Sequence, residues 1–428
     1  MLASKSIEEH RIGLSPVEKS TRYVYFDKKI DGEYPFYKDE KILKSSFRKE
    51  FLTTTNQLFD TYSKIVHKIQ PVLKKVFPVD NSIAYNFSIR AKACDLVRGL
   101  LPLSALTNMG VYGNGRAFEY LITNLLNDPL EEVRVIAQKM NRELRKVIPA
   151  FIKRATNEKG ERYRKFINRT EEELKRIISK TTENLGKDVN LVKRKQVKLI
   201  SWDKNGEETI IATILFERTT LSFRQVLKKA KSMDRKKREK ILKAYLSFRE
   251  NRHHKPGRAL EEIYFSFEIT ADWGVYKDLM RHRLLTRYRQ AFTNELGFWI
   301  PEELKLTGFE KDYKKAAEQA VELYAKMKSK MPIEAQYSVI HAAYNRFYLK
   351  MNLREAVHLC ELRSAPQGHP NYRKVAQEIA DQIIKVYPTF GKLAFKFVDY
   401  QNYHLERLSA FKKLEKKSKK FGVKGFEE

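Results

Sequence analysis

Cysteine is nearly absent from this chain: Cys94 and Cys360 are the two in 428 residues. Far apart and in apolar helical context, they make neither a disulfide framework nor a metal-ligand spacing, so a reducing cytoplasm is expected. No apolar run is long enough to cross a bilayer, and no leader-like segment opens the chain, so it reads as soluble and cytoplasmic. Its 17 glycines form no phosphate-cradling loop, and there is no serine elbow. Acid is scarce too: 53 Asp and Glu stand against 84 Lys and Arg, a formal net charge of +31. That excess suits an anionic partner such as a nucleotide, an acidic cofactor or nucleic acid; a solvated lysine-rich surface accounts for it equally well. The length allows two or three domains with real cores.

What the chain does have is a repeat. Asn114-Gly115-Arg116, Arg134 with Ala137-Gln138, and Lys146-Val147-Ile148-Pro149 return as Asn352-Leu353-Arg354, Arg373 with Ala376-Gln377, and Lys385-Val386-Tyr387-Pro388. The Ala-Gln to Pro spacing is the same in both, and the Arg to Arg spacing differs by one residue. Upstream, Glu9-His10-Arg11 matches Arg281-His282-Arg283. Repeats of this length are structural units, not a solenoid period, so the chain reads as two related domains in tandem.

Apolar spacing predicts helix over about 42–76, 85–101, 116–125 and 133–147, and again from Pro332 onward. Residues 151–195 read as an exposed charged helix and linker. Val197–Trp202 and Ile263–Ile269 read as strands, the second leading into a helix that carries Arg281-His282-Arg283; Ile210–Phe216 fits strand or helix. Two basic helices are expected near 221–232 and 234–249, and Lys412–Lys424 as a frayed basic tail. The domains expected are 1–155 (first copy, incomplete at its amino end, so that its true start lies upstream of Met1), 156–195 (linker), 196–410 (second copy) and 411–428 (tail).

In the second copy Arg354 and His358 share a helix face while Ala356, Val357 and Cys360 turn inward. The turn-rich loop Ser364–Pro370 ends that helix and starts the next. Free backbone N–H groups flanked by guanidinium groups suit phosphate or a pyrimidine edge. The alternative is a set of surface arginines paired with Glu355 and Glu361. Ser20-Thr21-Arg22-Tyr23 in the first copy is either a phosphate contact or a solvated turn. The adjacent His253 and His254 point different ways and are discounted as paired ligands.

Together these residues resemble the flavin-dependent thymidylate synthase family, which carries Arg-His-Arg, seven residues, then Ser-x-Arg-Tyr, followed by an Asn-x-Arg helix, a Leu-Arg and an Ala-Gln helix. The second copy supplies Arg281-His282-Arg283, Asn352-x-Arg354, Leu362-Arg363 and Arg373 ahead of Ala376-Gln377. The first supplies His10-Arg11, Ser20-x-Arg22-Tyr23, Leu100-Leu101-Pro102, Asn114-x-Arg116 and Arg134. Each copy departs from the pattern: Glu9 replaces an arginine, Ala291 stands at the serine position, Glu262 at a histidine position, and Leu125 at the Leu-Arg arginine.

The resemblance implies an α+β fold of two helix-rich units, each with a small sheet, and reductive methylation of dUMP with FAD. Methylenetetrahydrofolate and NADPH would be co-substrates. It implies flavin contacts at Arg281, His282, Arg283 and Arg363, nucleotide contacts at Ser20, Arg22, Arg116, Arg134, Arg354 and Arg373, and Arg373 as the catalytic group against the uracil ring. No metal is expected. Family sites are built from several subunits of a tetramer, so a homodimer of this duplicated chain would form a pseudo-tetramer. The alternative is a degraded homologue that binds nucleotide or nucleic acid without turnover.

Overall fold

The computed structural model describes residues 1–182 and 195–421. In chain order its first part contains α1 (Leu2–Glu8), β1 (Leu14–Glu18), α2 (Glu40–Leu43), α3 (Arg48–Val76), α4 (Ile83–Val97), β2 (Met109–Gly113), α5 (Gly115–Leu125), α6 (Glu131–Val147), α7 (Pro149–Thr156) and α8 (Glu158–Thr181). There follow β3 (Gln196–Trp202), α9 (Gly206–Phe216), α10 (Phe223–Ser232), α11 (Arg235–Leu246), β4 (Tyr264–Asp272), α12 (Trp273–Leu279) and β5 (Thr286–Arg289). The chain continues with α13 (Glu302–Leu306), α14 (Glu310–Met327), β6 (Tyr344–Asn352), α15 (Leu353–Arg363), α16 (Pro370–Val386), α17 (Gly391–Ala394) and α18 (Leu408–Phe421). The fold class is α+β.

The two copies repeat element by element. α1 and α12 have seven residues each, α5 and α15 eleven, and α6 and α16 seventeen. Each member of the middle pair starts on an asparagine cap, because a side-chain carbonyl satisfies an N–H the helix itself leaves open. Asn114 Oδ1 accepts from the Ala117 N–H at 2.9 Å, and Asn352 Oδ1 from the Glu355 N–H at 2.9 Å. The strand before each cap pairs with the strand after each histidine in one register. Ser15 faces Tyr112, two residues before Asn114, as Thr286 faces Lys350, two before Asn352.

The sheets differ in width. The first is the antiparallel pair β1–β2, whereas the second has the order β3–β4–β6–β5. Strand β4 lies along β6 from Tyr264–Asn352 to Asp272–Tyr344, an edge that β2 has no counterpart for.

The chain forms two compact units that are not consecutive in sequence. One comprises residues 1–67, 96–193 and 292–343, the other 68–95, 194–291 and 344–428. Each therefore includes a stretch of both copies, where the sequence reading expected a first copy at 1–155 and a second at 196–410. In the first unit, equivalent segments of the two copies run antiparallel: Leu103 N–H donates to the Val339 carbonyl at 2.7 Å and His341 N–H to the Leu101 carbonyl at 3.0 Å. Gly99 is needed there, because a Cβ would lie 2.0 Å from the Tyr313 hydroxyl and 3.0 Å from the Ala342 methyl.

Two expectations need correction. The stretch after Pro332 is not continuously helical, since residues 344–352 form β6, with alternate side chains buried on the sheet. Arg281, His282 and Arg283 follow helix α12, which ends at Leu279, and lie in the turn before β5. The open alternative at Ile210–Phe216 resolves as helix, and the charged stretch after 151 as α7 and α8, with 183–194 outside the described residues. The tail is helical to Phe421, and its last expected residues, 422–424, also lie outside.

Candidate functional site

In the second unit both ends of α15, through Glu355 in its first turn and Arg363 as its last residue, meet His282 in the turn after α12. The imidazole is buried, 5 % exposed. Its Nδ1 lies 2.7 Å from Glu355 Oε1, and its Nε2 accepts a hydrogen bond from Arg363 Nε at 3.0 Å. A guanidinium N–H can only donate, so Nε2 is the acceptor and Nδ1 carries the proton toward Glu355. Burial pushes the His282 pKa below its ordinary value, against the upward pull of Glu355, so the ring is neutral at pH 7. Asp278, on the last turn of α12, lies 3.7 Å from Arg281 and 3.9 Å from Arg363. Arg363 also lies against the Tyr372 ring, 5.8 Å from its centroid, and the His358 ring meets His282 edge-on at 5.4 Å. Arg281 is half-buried and Arg283 exposed.

Three of the four expected flavin contacts (Arg281, His282 and Arg363) are thus drawn into one cluster, and Arg283 borders it in sequence. With Arg283, the cluster sets three guanidinium groups and a neutral imidazole against two carboxylates, a donor set that fits a diphosphate. The neighbouring cavity, lined by Lys255, Leu284, Asn352, Arg354, Glu355 and His358, holds about 100 Å³. Ligand pockets begin at roughly 300 Å³, so this unit's own residues fit the cofactor's charge but enclose only a fraction of its bulk.

Arg354 faces the same cavity, but its Nη1 pairs with Glu261 at 2.7 Å and its Nε donates to the Pro256 carbonyl at 3.0 Å. Neither Glu355 nor Glu361 is its partner: Glu355 holds His282, and Glu361 forms a buried two-point pair with Arg249. Arg373 is 5 % exposed. Its Nε donates to the Ser364 carbonyl at 2.7 Å and its Nη2 to the Gln401 carbonyl at 2.9 Å, with the guanidinium 4.9 Å from the Tyr403 ring centroid. Arg134, its counterpart, likewise donates to the carbonyls of Asp128 and Pro129, at 2.6 and 3.0 Å. Both arginines brace the loop between two helices, and in Arg373 Nη1 takes part in neither carbonyl bond.

In the first unit Arg116 lies on the rim of a cleft of about 430 Å³ lined by Glu119, Tyr120, Thr123, Arg154, Lys159 and Tyr163. Arg116 pairs with Glu119 at 2.5 Å, and Arg154 approaches the same carboxylate at 3.7 Å. Three cations, one carboxylate and two phenol rings suit an anionic aromatic ligand. Ser20 and Arg22 lie elsewhere, in a turn where the Ser20 hydroxyl accepts from the Arg22 backbone N–H at 3.2 Å. His10, the counterpart of His282, contacts the Ser6 carbonyl at 2.8 Å.

The sequence reading passed over Asp278, Glu355, Arg154, Lys159 and Tyr163. Glu355 was weighed only as an arginine partner, although its place three residues after an asparagine cap puts it on the first helical turn. The other three lining residues fall in the stretch taken for linker. Among the described residues no group of His, Cys, Asp and Glu could hold a metal, and no helix is long and apolar enough to cross a membrane.

The family model described as thymidylate synthase complementing protein matches residues 1–150 and again 198–389. A UPF0159 protein of Chlamydia muridarum is 40 % identical over 412 residues, covering 95 % of this chain and 77 % of that protein. One from Thermoplasma acidophilum is 32 % identical over 435 residues, covering 95 % and 84 %. Among solved structures, a UMP/dUMP methylase from Streptomyces cacaoi bound with 5-Br dUMP aligns at 15 % identity and a TM-score of 0.40 over 48 % of this chain and 96 % of that one.

Proposed function

Because the chain belongs to the thymidylate synthase complementing protein family, as a tandem duplication of two diverged copies, we propose that it is a flavin-dependent thymidylate synthase. The substrate would be dUMP, methylenetetrahydrofolate the carbon donor, and NADPH the source of reducing equivalents. The observation that carries this reading is the buried chain Glu355–His282–Arg363 beside Arg281 and Asp278. These residues would hold a reduced FAD, whose chemistry when bound would be hydride donation to the pyrimidine. The chain's own residues bind and orient: Arg281 and Arg283 offer fixed positive charge to the diphosphate, while His282, its one N–H given to Glu355, holds Arg363 through Nε so that the rest of that guanidinium presents directed donors.

Arg373 is assigned to the pyrimidine carbonyls. The bonds from its Nε and Nη2 fix the guanidinium plane, so that Nη1 meets charge developing on the ring without reorganising. Arg354, Arg134, Ser20, Arg22 and Arg116 are assigned to the nucleotide, Arg116 in the 430 Å³ cleft. A homodimer would supply the wall that the small cavity beside His282 lacks, with sites formed by residues from both chains.

The test is direct. Purified protein incubated with FAD should retain visible flavin absorbance and form dTMP from dUMP, methylenetetrahydrofolate and NADPH. A colourless protein with no dTMP formation sinks the proposal. One observation favours a second reading, a relative that binds nucleotide without turnover: the positions equivalent to Ser20 and Arg22 are Ala291 and Thr293. Flavin and dUMP binding with no turnover selects it.

A further inference from the structure

The same helix is finished in one copy and unfinished in the other. In the second copy α16 lays Val375, Ile379 and Ile383 against the β3–β4 side of its sheet, and all three are fully buried. Their counterparts on α6 are Ile136, Met140 and Leu144, all half-buried. These three line an apolar cavity of about 550 Å³, together with Met109 and Val111 of β2 and residues of α1. Met109 and Val111 correspond to Phe347 and Leu349, which face Ile269 and Phe267 across the β4–β6 pair and are buried. The cavity therefore lies where β4 and β3 lie in the other copy, alongside the edge of β2 that bonds to no strand among the described residues.

Polar details point the same way. In the second copy Gln382 holds the edge strand by its backbone, accepting from Leu199 N–H at 2.7 Å and donating to the Val197 carbonyl at 3.1 Å, while Glu378 pairs with Lys195 at 2.9 Å. The counterparts on α6 are Glu143 and Lys139, both at the cavity. Glu143 can accept a strand N–H as Gln382 does, and Lys139 reverses the charge of Glu378. Asp272, the last residue of β4, caps α12 with its side chain, whereas α1 starts without a side-chain cap bond, Met1 there donating from its amino group to the Ala105 carbonyl at 2.5 Å.

We propose that this edge and cavity are a strand-acceptor site for a partner segment of the β3–β4 kind: an extended strand with alternate apolar side chains. Strand addition supplies main-chain bonds to the β2 edge, and alternate apolar side chains fill the cavity. The element differs from β3–β4 in one respect: an acidic residue stands where Lys195 does, opposite Lys139.

The test adds a fluorescent peptide of residues 264–272, the protein's own β4 sequence, to the 428-residue chain and follows anisotropy. Saturable one-to-one binding is expected. A peptide with Phe265, Phe267 and Ile269 changed to Asn should bind at least tenfold more weakly. Met140→Lys and, as a second variant should the first fail to fold, Ile136→Lys should weaken binding at least tenfold while circular dichroism stays unchanged. No saturable binding to the folded chain overturns the proposal. So does a stable dimer that excludes the peptide and that Met140→Lys breaks, because the edge would then belong to a second copy.

Discussion

The two copies share a histidine at the same turn and give it opposite surroundings. Around His282 stand Asp278, Arg281, Glu355 and Arg363, a chain of ionic and hydrogen-bonding groups. The corresponding residues in the first copy are Ser6, Glu9, Ala117 and Leu125. There the charge has moved to the other side of α1, where buried Lys5 bonds Glu8 and Glu18, with Arg11 3.7 Å from Glu8. A backbone can keep its register while the polar network on it is exchanged wholesale, because pairing and caps depend on main-chain groups and the network on a handful of side chains. Only the second copy keeps the groups that hold a neutral imidazole in place.

That contrast is open to breakage, most severely at Arg249. Arg249→Ala leaves Glu361 buried without its cation and should cost about 3–5 kcal/mol, whereas Thr123→Ala at the equivalent of Glu361 should cost under about 1 kcal/mol; comparable losses in urea melts would erase the difference. Next comes flavin. His282→Ala should lower FAD affinity about tenfold, or about 1.4 kcal/mol, and His10→Ala should leave it unchanged. Equal effects, read by flavin fluorescence, would make the two histidines interchangeable.

Acid sharpens the same point. The folded pKa of His282 is depressed, so the unfolded chain binds the extra proton first, and stability present above pH 6.5 falls away as pH drops below it. Between pH 7 and 5 the melting temperature should therefore fall, His358 adding in the same direction. His282→Gln should flatten the slope of melting temperature against pH. The smallest effect is expected at Arg116, exposed on its cleft. Arg116→Ala should change stability by less than about 0.5 kcal/mol, while weakening dUMP binding measured by calorimetry; unchanged binding removes it from the site.

Much of the frame was legible. Asn114 and Asn352 announced two helix starts, and the identical Ala-Gln to Pro spacing fixed the helices that follow. Strands β1 and β2 escaped notice because each has five residues, with Pro16 inside β1 and Gly110 and Gly113 inside β2 reading as turn rather than strand. β6 was lost inside a stretch read as helix, since its apolar residues alternate only from Phe347 to Met351 and merge with apolar sequence on both sides. The partners of the arginines were also out of reach. Arg249 meets Glu361 and Arg354 meets Glu261 across 112 and 93 residues, and in a chain this basic no local spacing chooses among the carboxylates.

The residues alone determined that this protein is doubled, which family it resembles, and where its helices start, since caps, turns and periodicity act over a few neighbouring positions. Only the tertiary structure decided that Arg373 braces a loop, that His282 is held neutral between Glu355 and Arg363, and that, among the described residues, one sheet has four strands and the other two. Those outcomes depend on which distant groups share a buried volume, and burial, by stripping water away, sets both the protonation of a ring and the need for a partner.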